Sequence, residues 1–367
     1  STGDWGNGHT VNYKGLFDAT VWLNSGVAQN YLDSVSINSH DPISFLFNFR
    51  TPTNCIRKGT SFYTTLKELD GLSSGLVGFD VKHKNDKTRF YAQYKAMLRD
   101  VSYDLNYLIY QKEWLPGRVN SYASFGLDHN YAYRKGNGMI NLNLRSPFFG
   151  DYDYAAITLS AVNKNYLGKV GLHTRVFAQY GYGNSIPIES MLYVAGANPE
   201  EMAESKYVRS MGFFQPFTFG DKTNNFCYGG GLNLRGYMGY LLPQVNDGMY
   251  RYNYRGTTGA AFNMEIDFGR LFGFIDRKTK QTLSFNPYLF GDAGFIQTNY
   301  NYEPLAFSDI MVDAGAGVAL TINKWWKLSN LKPLTIRADF PVFINRLPYA
   351  ETDFLQFRWM IGVSRAF

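Results

Sequence analysis

No stretch of this 367-residue chain approaches the roughly 18 consecutive apolar residues that a membrane-spanning helix requires. A helical bundle in lipid is thereby excluded. Catalytic and metal-binding signatures are equally scarce: there is no HExxH, GxSxG or CxxC, and the five histidines, His9, His40, His83, His129 and His173, are scattered. The chain is read as non-enzymatic, without metal or cofactor, and His129 and His173 as histidines bonded to a neighbour. A net charge of +6, spread along the sequence, argues against a nucleic-acid surface. Only two cysteines occur, Cys55 and Cys227, too few for a disulfide framework. Counting strands puts both in connections on one side of the sheet, so a bridge and two free thiols both stay open.

What the chain does have is alternation. With 45% hydrophobic and 17% aromatic residues, 28 Tyr and 29 Phe among them, its mean hydropathy is only −0.27. That balance suits strands that show lipid every second residue and carry polar groups on the other face. Residues 354–367, FLQFRWMIGVSRAF, are the clearest case. Leu355, Phe357, Trp359, Ile361, Val363 and Phe367 share one face, Gln356, Arg358, Gly362, Ser364 and Ala366 the other, and only Arg365 breaks the apolar side. Similar patterns run through Val77–Lys82, Ile140–Arg145, Phe262–Phe268, Val312–Ile322 and Leu334–Val342. Weaker candidates are 10–24, 28–37, 42–50, 60–70, 88–98, 103–113, 121–133, 153–163 and 170–183. Together they predict an all-β fold, an antiparallel transmembrane β-barrel of about 16 strands, even in number as closure requires. At about 23 residues per strand and connection, one barrel over 41–367 leaves no room for a second sizeable domain, and 1–40 is an N-terminal segment or the first strands. The absence of a signal peptide at Ser1 marks a mature or excised segment.

Residues 184–254 break the rhythm. Some seventy residues without clear alternation far exceed a hairpin connection, and their aromatic and glycine content argues against disorder. Within them, Ala195-Gly196-Ala197-Asn198-Pro199 reads as turn-rich, and Gly229-Gly230-Gly231 allows tight folding inside a narrow space. Arg235 follows in GGGLNLRG, which lacks both the strand-to-helix setting and the terminal Lys-Ser/Thr of a phosphate loop. A guanidinium carried into the interior needs a carboxylate there. In 283–295 the apolar phase of Leu283, Phe285, Leu289 and Phe295 sends Asp292 inward, and Glu265 and Asp267 are inward on the strand before. A fork of Arg235 on one or two of these would pin the loop, with Gly291 and Gly294 leaving room.

Leu234-Arg235-Gly236-Tyr237, Phe290-x-Asp292-x-Gly294 and the aromatic-ended last strand together resemble the C-terminal barrel of the BamA/TamA superfamily of outer-membrane assembly and translocation proteins. The resemblance is strongest over about 170–367. It implies a sixth surface loop inside a sixteen-stranded barrel, with Arg235, Gly236 and Tyr237 on the loop, Phe290, Asp292 and Gly294 on the wall, and Glu265 or Asp267 at an acidic position beside them. It also implies a Gram-negative outer membrane, lipid contact, unfolded client proteins and accessory lipoproteins as partners, and function at a weak seam between first and last strands. Phe357, Trp359, Gly362 and Phe367 would belong to that closing strand, Gly362 as a local weak point. Family members that insert or translocate proteins usually carry POTRA domains ahead of the barrel, for which this chain has no space. The Ala195–Pro199 segment and the ending also resemble barrels that anchor or export fused surface hydrolases, peptidases among them, in Bacteroidota; 1–40 would then be the tail of a catalytic domain. A passive porin is a third reading, opposed by the long internal loop.

Overall fold

The computed structural model describes residues 9–13, 17–25, 43–53, 58–69, 72–83, 87–99, 117–205, 226–227, 229–239, 244–246, 249–251, 254–278, 282–298, 306–324, 333–346 and 354–367. Fifteen strands form an antiparallel meander: β1 His9–Tyr13, β2 Phe17–Ser25, β3 Ile43–Pro52, β4 Thr60–Leu69, β5 Leu72–His83, β6 Thr88–Arg99, β7 Val119–Tyr133, β8 Gly136–Pro147, β9 Asp153–Leu167, β10 Val170–Ser185, β11 Thr258–Asp267, β12 Leu283–Thr298, β13 Met311–Ile322, β14 Leu334–Ile344 and β15 Met360–Val363. Each pairs with the next in sequence. Two short pieces, Phe226–Cys227 and Ala306–Phe307, complete a 17-stranded sheet.

Alternation predicted which face each strand buries. Phe79, Phe90, Phe125, Leu144, Ile157, Val176, Phe262, Leu289, Leu320 and Ile336 are exposed on the outer face of successive strands, an apolar belt. Lys67, Asp80, Lys95, Ser124, Arg175, Asn263, Glu265, Asp292, Arg337 and Asp339 are buried on the other. Short turns keep the register: Leu167 faces Val170 across Gly168, whose φ of 65° suits a tight turn. Regular pairing of β10 with β9 ends in a bulge between Tyr182 and Ser185, where a Cβ on Gly183 would collide with the Asp153 carbonyl. There the chain leaves the wall for the long loop.

Three expectations change. Segment 10–24 is a hairpin of β1 and β2 rather than one strand, whereas 28–37 and 103–113 lie outside the described residues. Of 354–367 only Met360–Val363 is strand, and Ser364 adopts a left-handed φ of 70° that ends it. Lastly, the sheet is not closed among the described residues: β1 pairs with β2, while the far edge of β15 pairs in parallel with Phe226–Cys227.

The main core lies between the loop and the wall of β10 to β15. Leu192, Val194, Leu232, Leu234 and Met238 from the loop pack with Phe177, Ala261, Ile296, Met311, Ile344 and Met360. Two legs of the loop run side by side, the Leu232 and Leu234 amides donating to the Tyr193 and Val194 carbonyls at 2.9 and 3.0 Å. A side chain at Gly231 would stand 2.5 Å from the Tyr193 carbonyl oxygen, so the approach of the two legs requires glycine.

Candidate functional site: two docking poles of the loop

Gly229, Gly230 and Gly231 all have positive φ, and the chain then enters a single 3-10 turn, Arg235–Tyr237. That turn lays Arg235, fully buried, across β11 and β12. Its Nε and Nη2 donate to the two oxygens of Asp292 at 2.8 and 2.9 Å, and its backbone N–H reaches Oδ2 at 3.2 Å. Nη1 donates to Glu265 Oε1 at 2.7 Å and stands 4.0 Å from Asp339 Oδ1. The guanidinium lies 4.0 Å over the Phe290 ring. Burial pushes this group down, but Asp292, then Glu265 and Asp339, reverse that and hold it well above the ordinary arginine range.

The remaining motif residues surround the fork. A Cβ on Gly236 would lie 2.5 Å from the Asp313 Cβ, so the loop backbone touches the wall there. Tyr237 donates to Asn345 Oδ1 at 2.9 Å. Gly294 sits against β11, where a side chain would meet the Ala260 carbonyl oxygen at 2.7 Å. Asp267 is drawn elsewhere: Arg365 reaches it at 3.0 Å and Glu265 Oε2 at 2.8 Å. Glu265 thus holds Arg235 by one oxygen and Arg365 by the other. The left-handed Ser364 turns Arg365 inward, which explains the break in the apolar face of the final segment.

Phe357 and Trp359 are exposed, as an outer face requires, but they precede the strand; Phe357 stacks on Phe340. Arg358 donates to the carbonyls of Gly236 and Met238. Phe367 also leaves the strand, and its carbonyl accepts from Lys164 Nζ at 3.1 Å. Gly362 has a packing reason: a Cβ there would meet the Arg337 side chain at 2.7 Å and the Cys227 carbonyl at 3.0 Å. Cys227 itself is a free, buried thiol whose Sγ accepts from Arg337 Nη2 at 2.6 Å. Cys55 lies outside the described residues.

A second pole went unread in the sequence. Asn198 caps a short helix, Pro199–Glu204, in a capping box with Glu201, and the helix carries its acidic residues to the wall of β4, β6 and β8. Glu200 accepts from Lys95 at 2.9 Å, Arg145 at 2.9 Å, Ser190 at 2.6 Å and Tyr122. Glu204 pairs with Lys67 at 2.5 Å and Lys95 at 2.8 Å. Just upstream, Glu189 takes Arg99 and Asn120, both at 2.7 Å. Burial would raise both helix carboxyls, but Lys95 with Arg145 holds Glu200 far below the usual range, and Lys95 with Lys67 lowers Glu204 to about 2. The helix signal was present as Asn-Pro-Glu-Glu, an N-cap, a proline at the first position and an acidic first turn.

Among the described residues no group of three or more His, Cys, Asp or Glu could hold a metal. His129 bonds Thr88 at 2.8 Å and His173 packs on Tyr166, remote from each other along the sheet.

No protein-family model and no curated protein matches the chain. Among solved structures, CdiB from Escherichia coli is similar over 94% of this chain and 55% of its own, with 14% identity and a TM-score of 0.50. The fold is that of the CdiB β-barrel. This chain spans little more than half the length of CdiB. Looser similarities are BamA from Haemophilus ducreyi lacking POTRA domains 1-3, at 13% identity, 95% and 69% coverage and TM-score 0.42, and Pseudomonas aeruginosa OccK10 (OpdN), at 12%, 91% and 85%, and 0.30.

Proposed function

We propose that this chain is an outer-membrane barrel that acts in inserting proteins into, or translocating them across, the Gram-negative outer membrane. The described parts of the loop after β10, 186–205 and 229–239, pack against the inner face of its wall. The observation that carries this reading is the buried fork of Arg235 on Asp292 and Glu265 within a barrel of CdiB-like fold. The fork is a structural lock: it fixes the loop and does no chemistry. The apolar belt is the lipid-facing surface. Unfolded outer-membrane proteins, accessory lipoproteins or a fused passenger are the partners such a barrel would serve. Among the described residues β1 pairs on one edge only, and β15 is met on its far edge by just the two residues Phe226–Cys227, so both edges offer main-chain donors and acceptors to an added strand.

Two measurements test this. In planar bilayers the wild type is expected to conduct poorly and Arg235→Ala to show large open steps. A large open pore in the wild type contradicts a locked loop and supports a porin. In liposomes, a disulfide sealing His9–Tyr13 to Met360–Val363 is expected to abolish insertion of a barrel client. Full activity with that seam sealed contradicts the insertion reading.

A further inference from the structure

The outer edge of the last strand is already occupied. Phe226 and Cys227 pair in parallel with Ile361 and Gly362, and they come from the same loop that Arg235 locks. A two-residue ladder is short, and an isolated one contributes little. It is reinforced here from the side. Arg337, on β14, crosses β15 at the one position without a side chain, Gly362, and donates to the Cys227 sulfur at 2.6 Å. Arg337 is held in turn by Asp339 at 3.0 Å, and Asp339 accepts from Tyr288 at 2.5 Å. Cys227 is 4% exposed, and burial keeps its thiol protonated by pushing it up, outweighing Arg337.

We propose that Phe226–Cys227 is a resident placeholder on a strand-docking edge. It satisfies the backbone groups of β15 until an incoming extended segment replaces it, and Arg337–Cys227 is its latch. The inference rests on the function proposed above and names how that edge is regulated. A strand edge left open in an apolar setting carries unpaired donors and acceptors at high cost, so a filler made from the chain itself keeps the barrel intact between clients. The ladder is short enough to be displaced by a longer strand, which would make more main-chain bonds than the two residues it removes. The contacts also link release to the lock, because Arg358, just ahead of β15, holds the Gly236 and Met238 carbonyls, and Glu265 bridges Arg235 to Arg365 just beyond it.

A reversible tether tests the proposal. Phe226→Cys with Ile361→Cys, in a background of Cys55→Ser and Cys227→Ser, places two thiols on directly paired positions and keeps a hydroxyl to accept from Arg337. In the full chain in detergent, oxidation is expected to slow amide exchange at Met360–Val363 at least tenfold relative to the reduced form. Equal exchange in the two forms means the segment does not leave the edge and overturns the placeholder. A second variant, Cys227→Val, removes the acceptor and is expected to speed exchange at the same amides several-fold, whereas Cys227→Ser leaves it near the wild-type rate. In liposomes, client insertion is expected to stop on oxidation and to return on reduction. Undiminished insertion by the oxidised form overturns the proposal. Should neither form insert a client, the function proposed above fails, and the exchange rates still decide between placeholder and permanent strand.

Discussion

The two poles of the loop use opposite charge and a different sharing of partners. At one, a single guanidinium from the loop enters a wholly buried nest of wall carboxylates, Asp292, Glu265 and Asp339. At the other, several loop carboxylates meet ammonium and guanidinium groups of the wall, and one of them, Glu204, keeps 49% of its side chain exposed. A planar fork inside a dry site is directional and does not tolerate the loss of a partner. The pairs at the second pole are buried as well, apart from Glu204, but they are shared: Lys95 alone serves both Glu200 and Glu204, so no single pair carries the contact. The barrel therefore has one hard anchor and one soft one.

The largest expected effect comes from breaking the hard anchor. Arg235→Ala leaves Asp292 and Glu265 buried without their cation, and the loss is expected to be about 3–5 kcal/mol, read as a lower unfolding midpoint of the barrel in detergent. Arg235→Lys keeps the charge and loses the fork, so it should recover only part of that. If Arg235→Ala unfolded like the wild type, the fork would be ornamental and the contrast between the poles would disappear.

Next in size is Gly236→Ala. The new methyl would sit 2.5 Å from the Asp313 Cβ and 3.2 Å from Ile344, against wall atoms with little freedom to move. Overpacking of this kind costs about 1–3 kcal/mol. The same change at Gly229, where a Cβ meets nothing within 4 Å, acts only through its φ of 60° and should cost about 1 kcal/mol. Comparing the two midpoints separates close approach from backbone conformation.

How far each pole could be read in the sequence follows from the same contrast. Arg235 stood out because three glycines precede it and because strict alternation in β11 and β12 fixed the inward phase of Glu265, Asp267 and Asp292; a period of two leaves no other choice. Lys67, Lys95 and Arg145 were equally inward, but their partners lie 55 to 137 residues away in a stretch without period, so nothing local paired them. The final segment misled for a related reason. Its alternation is genuine, and Phe354, Gln356 and Arg358 still share main-chain bonds with β14, but the ladder is regular only over Met360–Val363, and the Arg358 and Arg365 side chains turn inward to the loop carbonyls and to Glu265 and Asp267. Pattern specifies which face a residue takes, and the long-range partners of each inward side chain are fixed only by the folded loop.

At the soft pole, Glu200→Gln removes the charge shared by Lys95 and Arg145 and keeps the shape, but its single acceptor oxygen can serve only one of the two, the other facing the amide NH2. A loss of about 1–2 kcal/mol is expected, below that of Arg235→Ala, and conductance should stay low because the hard anchor still holds the loop. An open pore in Glu200→Gln would instead make this pole the lock.

Smallest is the effect of acid on Glu204. Its carboxyl is lowered from about 4.5 to about 2 by Lys95 and Lys67. A group depressed on folding adds stability that is full above its unfolded value and fades as pH falls toward the folded one, so its contribution should be intact at pH 5 and lost between about 4.5 and 2. Partial exposure makes the change modest. Other carboxylates titrate in the same window, so the informative quantity is the difference between wild type and Glu204→Gln: their unfolding midpoints should be furthest apart at pH 5 and converge near pH 2. A gap that stayed constant with pH would mean that Glu204 contributes by packing alone, and that the helix is held to the wall by Glu200 and Glu189 without it.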